Sequence, residues 1–426
     1  MKKLVLIISI FFFFISSIKA NDYPNIAVAI TNNDGLIGAL EKAAANQFYM
    51  THPDIFDFLF IYTTFAPTIN IQQGIAIEYT VKGINREGSF TGYGPASTWG
   101  SAGKLIGAAR MVNIDMYPDN PDVAISTNII SPFAGMTHIE LLAHEWSHYW
   151  LASLNFKKEG MSYEHTGLRG WEDGANNHWS ADFMSGPSVM YGGDITDNGD
   201  GTFTYQFGNP KIYGPLDLYA MGFIPPEEVG ELFFLCQSSN IDQCREGNPS
   251  VPAPKTSSPV VRSGWHKHTV TIDDIIRVHG ERKPSYEDAP KHFNIAFIIV
   301  AKEGTYPFPH QLERLEQTRL RFQEWFPWAT GERATVCTQL DGNCFEEEPD
   351  DSELPDDEDE TIDENVEIPD DDNGYDPVPD VDVTVDKDKE VEDKDVAVSD
   401  THSQPHDDDD YSFTDDEIGC GCTIIF

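Results

Sequence analysis

The spacing of apolar side chains divides the chain into elements. Residues 35–50 are rich in Ala and Leu and predict a helix. Residues 57–64 carry the run Phe58-Leu59-Phe60-Ile61-Tyr62 and read as a strand. Along residues 75–82, Ile75, Ile77, Tyr79 and Val81 fall on one face, with the period of two that a half-buried strand imposes. Residues 110–117 are a further strand candidate, and residues 137–154 read as a second helix. There Thr137 and Glu140 match a capping box, and Leu141, Leu142, Tyr149 and Trp150 supply apolar surface. Helix, several strands, then helix predicts an α+β layer with the second helix packed under a sheet.

The second half has more turn chemistry. Asp197-Asn198-Gly199-Asp200-Gly201 lies between Tyr191 and the run 202–207 and predicts a hairpin. Its acidic residues miss the EF-hand positions, which favours the hairpin over a calcium loop. Thr271 can cap a short helix ending near Val278. Residues 293–301 read as a strand, and residues 311–326 as a helix that turns Leu315, Phe322, Trp325 and Phe326 inward.

The ends differ from this body. Lys2 and Lys3 precede an apolar run from Leu4 to Ile15, and small and polar residues lead to Ala20. Residues 1–20 therefore read as an export signal, an uncleaved anchor being the alternative that the short run disfavours. Residues 21–344 are long enough for one large domain, with an N-terminal sheet and active-site helix in 21–155 and a C-terminal half in 156–344. From Phe345 the chain is dense in Asp, Glu and Pro, and residues 345–418 predict a disordered acidic spacer. Residues 419–426 close it with Gly419-Cys420-Gly421-Cys422 and an apolar tip.

Charge follows the same division. Of 426 residues, 71 are acidic and 28 basic, a net of −43. Residues 345–426 hold 34 of those acids and three of the bases, which leaves −12 on the remainder. Nothing in this balance would neutralise phosphates, so nucleic acid is excluded as a partner and anionic membrane surfaces are disfavoured. The pairs Cys236/Cys244 and Cys337/Cys344 are each close in sequence and suggest two short-loop disulfides in an oxidising compartment.

One motif carries chemistry: His144-Glu145-Trp146-Ser147-His148. Histidines at i and i+4 lie one above the other on a helix, so both imidazoles can hold one metal ion. Glu145, beside the first, can reach a water on that metal. With this helix the sequence resembles the zincin-type (HExxH) zinc metallopeptidases. The stretches Trp179-Ser180, Ser188-Val189-Met190, Asn198-Gly199-Asp200-Gly201-Thr202 and Pro215-Leu216-Asp217-Leu218-Tyr219-Ala220-Met221-Gly222 are similar to a set of exported bacterial proteins carrying the same helix. So is the region 280–340. The terminal Gly-Cys motif resembles the Gly-Cys sorting tails of myxobacterial-type surface proteins, which implies attachment to the cell envelope.

The third ligand does not follow the metzincin pattern, since Leu151 and Leu154 stand where that pattern needs a glycine and a ligand. His178, thirty residues after His148, is the preferred third ligand, followed by Glu172, then Glu164, His165 and Asp217. Trp179 would shield His178, and Asp182 or Asp173 would fix its tautomer. Tyr213 and Tyr219 are candidate oxyanion donors, and Met190 or Met221 could pack beneath the metal. The resemblance implies a zincin-like fold, one Zn2+ per chain on His144 and His148, and Glu145 as general base, with His178 as the third ligand on the reading of the residues. It implies an exported metalloendopeptidase with a protein or peptide substrate. The alternative is a cell-surface interaction or adhesion module whose metal is structural or inactive.

Overall fold

The run Phe58-Leu59-Phe60-Ile61-Tyr62 has no polar face because its strand is covered on both sides. In the computed structural model the described residues are 23–32, 39–66, 76–78, 95–125, 135–170, 178–244 and 258–344. The segments expected as export signal (1–20), acidic spacer (345–418) and Gly-Cys end (419–426), and Glu172 and Asp173, lie outside them. All described residues belong to one unit.

Strand β1 (Ile26–Thr31), helix α1 (Ala39–Tyr49), β2 (Phe58–Thr63), β3 (Ala76–Glu78) and β4 (Gly107–Asn113) come first in the chain. Helix α2 (His138–Ser147) carries the motif. Next come β5 (Trp179–Met184), β6 (Tyr191–Asp197), β7 (Thr202–Gln206), α3 (Pro215–Met221), β8 (Leu232–Cys236), β9 (Val260–Ser263) and β10 (His266–Val270). Helix α4 (Ile272–His279), β11 (His292–Lys302), α5 (Pro309–Ala329) and β12 (Thr335–Cys337) complete the set. The protein is a mixed α+β structure with two sheets and, among the described residues, five α-helices.

The first sheet has the order β1-β11-β2-β4-β3, with β12 also paired to β11. Every pairing is parallel except β3 against β4. Strand β11 lies between β1 and β2, so the sheet is not built from residues 21–155 alone, and the expected division near residue 155 does not describe it. Pairing between residues more than 200 apart leaves no local trace in sequence, which is why the insertion was not legible. Side chains alternate as parallel strands require. Leu59, Ile61, Ala296, Ile298 and Val300 face α1, with Leu40, Ala44 and Phe48. Phe58, Phe60, Tyr62, Phe293, Phe297 and Ile299 face α2 and α5, with Ile139, Leu142, Phe322 and Phe326.

The second sheet has the order β10-β8-β5-β6-β7-β9. The hairpin forms between β6 and β7, and its carboxylates are used on the turn itself. Asp197 accepts from the Gly199 N–H at 3.0 Å and Asp200 from the Thr202 N–H at 3.0 Å. Disulfides join Cys236 to Cys244 and Cys337 to Cys344. No helix among the described residues is long and apolar enough to cross a membrane.

Helix α2 begins at its predicted cap. Thr137 Oγ1 accepts from the Glu140 N–H at 3.1 Å, and Glu140 Oε2 from the Thr137 N–H at 2.9 Å. It ends at Ser147, seven residues short of the predicted limit. Ser147 Oγ donates to the Ala143 carbonyl at 2.6 Å, a back-bond that disfavours continuation. Ala152 then adopts a left-handed conformation with φ 68°. The predicted helix thus becomes a helix and a turn.

At the first turn of α2, His138 is fully buried and stacks on Tyr117 at 3.7 Å. Tyr62 Oη lies 3.0 Å from its Nε2 and Thr318 Oγ1 3.3 Å from its Nδ1. Burial, and secondarily the charge of Arg314, push its pKa down to about 3. The unfolded chain takes up this proton near pH 6.5 and the folded one does not. This contribution to stability is therefore complete above about 6.5 and is lost, by about 1.4 kcal/mol per unit, as pH falls toward 3. Asp217, whose pKa is raised to about 6, acts in the opposite sense over part of that range. The readout is accordingly a difference: the stability of wild type minus that of His138→Gln, from urea unfolding, should shrink steadily between pH 6.5 and 4. Parallel pH curves for the two proteins would contradict it.

Candidate metal centre

The motif side chains are aimed by Trp146. Two residues from His144, it lies on the opposite face of α2 and buries among aromatic rings, 5.3 Å from Phe58 and 4.9 Å from Phe326. His144 and His148 are thereby turned away from the first sheet toward the segment that opens with His178. His178 immediately precedes β5, and the start of β5 is tied to β6 by the Trp179 N–H bonding the Met190 carbonyl at 3.0 Å.

The three imidazoles form a nearly equilateral triangle. Ring centroids lie 4.9 Å apart for His144 and His148, 4.8 Å for His144 and His178, and 5.0 Å for His148 and His178. One nitrogen from each lies within 4.8 Å of the others, and all three residues are buried. His144 Nδ1 donates to the Val189 carbonyl at 2.7 Å. A carbonyl only accepts, so in the neutral ring Nε2 keeps its lone pair. That Nε2 lies 3.0 Å from His178 Nε2. Two imidazole nitrogens at this separation need a proton or a cation between them. Tetrahedral zinc with bonds of about 2.0–2.1 Å would separate two nitrogens by about 3.3 Å. The donor set therefore fits zinc, and three imidazoles also suit other late first-row metals.

Glu145 is 5% exposed, and burial raises its pKa to about 8. A divalent cation among the imidazoles would favour its carboxylate form and pull that value down. Tyr191 closes another side of the triangle, with its ring 4.9 Å from His144 and 4.7 Å from His178. Its φ of 69° is strained for an aromatic residue. Neither Tyr191 nor the Val189 carbonyl stood out in the sequence. The only signal was their place in and beside Ser188-Val189-Met190, since a backbone carbonyl has no residue signature.

The other candidates are placed elsewhere. Glu164 is exposed and accepts from Asn155 Nδ2 at 3.2 Å. His165 is buried with both ring nitrogens engaged: Nδ1 accepts from the Gly167 N–H and Nε2 faces the Ile241 carbonyl. Asp217 bonds Trp179 and Ser188 rather than joining the triangle. Asp182 does not orient His178; it accepts from Tyr205 Oη at 2.8 Å and pairs with Arg262. Tyr213 packs on Trp325 and Phe326 with its Oη 3.1 Å from Ser147 Oγ, and Tyr219 lies buried on α3. Met190 and Met221 are core residues. Among the described residues one further group, Cys236, Cys244 and His268, brings donors together, but its two sulfurs are bonded to each other. No family model, curated protein or solved structure matches this chain.

Proposed function

We propose that the chain is an exported, zincin-type zinc metallopeptidase, with the metal held by His144, His148 and His178 and Glu145 as general base. The observation that carries this reading is the buried triangle of imidazoles, with Glu145 following His144 on α2 and itself buried. The mixed sheet packed on the motif helix supports a zincin-like fold, and the two disulfides suit an oxidising compartment.

Three neutral ligands leave a divalent cation its full charge and a fourth position. When bound, such a cation lowers the pKa of a water toward about 7 and polarises a carbonyl oxygen. The chain's own residues do the rest. The Val189 carbonyl holds His144 in one tautomer, the aromatic packing of Trp146 holds the helix face, and Glu145 accepts a proton from the attacking water and delivers it to the leaving amine.

The test is the zinc content of the full chain after dialysis against a weak chelator, which strips ions held loosely by the acidic residues. About one zinc per chain should remain, and His144→Ala and His178→Ala should lose it. Glu164→Ala, at an exposed site, should retain it. A folded chain that holds no zinc would overturn the reading and favour a cell-surface interaction module.

A further inference from the structure

Asp217 is one of the most buried carboxyl groups of the molecule, at 1% exposure, and the chemistry proposed above leaves it without a role. Three donors converge on it. Trp179 Nε1–H donates to Oδ1 at 2.7 Å, Ser188 Oγ–H to Oδ2 at 2.6 Å, and the Gly214 N–H to Oδ2 at 2.9 Å. The first two partners sit next to the metal centre in the chain. Trp179 follows His178, and Ser188 precedes Val189, whose carbonyl holds His144 Nδ1. Ser188 Oγ in turn accepts from the Met190 N–H at 3.0 Å, which pins the residue on the other side of Val189.

The seat of this carboxylate is tightly built. A Cβ on Gly214 would stand 2.0 Å from the Ser185 carbonyl oxygen, so the start of α3 lies directly on the 185–188 turn and admits only glycine there. Converging donors also specify an acid. An amide at position 217 would turn its own N–H groups toward an indole N–H, a backbone N–H or a hydroxyl already bonded to Met190.

We propose that Asp217 is the positioning residue of the metal centre: it fixes His178 through Trp179 and the orienting carbonyl of His144 through Ser188, so that two of the three ligands take their register from one carboxylate. This inference rests on metal binding at the triangle and not on hydrolysis. It also gives the Pro215–Met221 helix, singled out in the sequence without an assigned chemistry, a physical task.

The experiment measures zinc affinity of the full chain by competition with a chromophoric chelator, together with the absorption spectrum of the Co2+-loaded protein and the melting temperature of the metal-free protein. Asp217→Asn should weaken zinc binding about 10–100-fold and alter the Co2+ spectrum, the size of effect that groups orienting a ligand exert. Asp182→Asn removes a comparably buried carboxylate on the adjoining strand that bonds Tyr205 and Arg262 instead. It should change the melting temperature and leave zinc affinity as in wild type. Trp179→Phe and Ser188→Ala each delete one donor and should produce smaller losses of affinity. They decide the matter if Asp217→Asn does not fold. Wild-type zinc affinity and Co2+ spectrum in the folded variants would overturn the positioning role while leaving the metal centre intact. Absence of zinc from the wild-type chain would instead remove the centre itself.

Discussion

Replacing Glu145 with glutamine should lower peptide hydrolysis by about 10²–10⁴-fold while leaving zinc content unchanged. Glutamine matches the carboxylate in shape but cannot accept a proton, and the triangle of imidazoles does not include this residue. Glu145 is 5% exposed, so a proton on its carboxyl is kept from bulk water. Burial raises the pKa to about 8, and a cation held by the three histidines would oppose that shift and favour the carboxylate that a base requires. The measurement is the rate of cleavage of an unfolded protein substrate, with elemental analysis on the same samples. A variant that hydrolyses as fast as wild type would remove Glu145 from the chemistry. One that loses zinc would make it a ligand or part of the scaffold.

The second large effect concerns stability. Arg110 on β4 reaches across to Glu41 on α1, with Nε and Oε1 2.8 Å apart and side chains only 5% and 1% exposed. Removing the guanidinium takes the paired cation from a carboxylate that is 1% exposed. Arg110→Met should therefore cost about 3–5 kcal/mol, as removal of one partner from a buried pair does. Glu41→Leu combined with Arg110→Met should recover most of that loss, because no charge is then left in the apolar layer. Urea unfolding of the two single variants and the double variant measures both statements. A loss below about 1 kcal/mol for Arg110→Met would place the pair with exposed ion pairs and contradict the burial argument.

The effects differ in kind because the two faces of the first sheet do. The α1 face holds the buried Glu41–Arg110 pair. The α2 face holds the motif helix, where the same burial that stabilises Trp146 and Ile139 also desolvates Glu145. Strain at Tyr191, on β6 of the second sheet, goes with the metal centre: an aromatic residue with φ 69° stays in place only where its surroundings over-determine it, here against two imidazoles.

Local interactions define the features that could be read along the chain. The Thr137 and Glu140 cap, the i and i+4 histidines, the strand over Phe58–Thr63, the Asp197–Gly201 turn and both disulfides depend on groups within a few residues of one another, so spacing and residue type define them. Tertiary structure alone decided the rest. Strand β11 enters between β1 and β2 because parallel strands find their neighbours by burying two faces, a demand that many apolar runs satisfy equally in one dimension. His178, Glu164 and His165 are all chemically able ligands at plausible distances along the chain. Only packing brings the first against His144 and ties both nitrogens of His165 elsewhere. The Val189 carbonyl and the Asp217 carboxylate were the least legible, since one belongs to a backbone that every residue shares and the other acts through partners 38 and 29 residues away. Chemistry that depends on which groups converge in space is decided by the fold, and chemistry that depends on which groups are adjacent is already written along the chain.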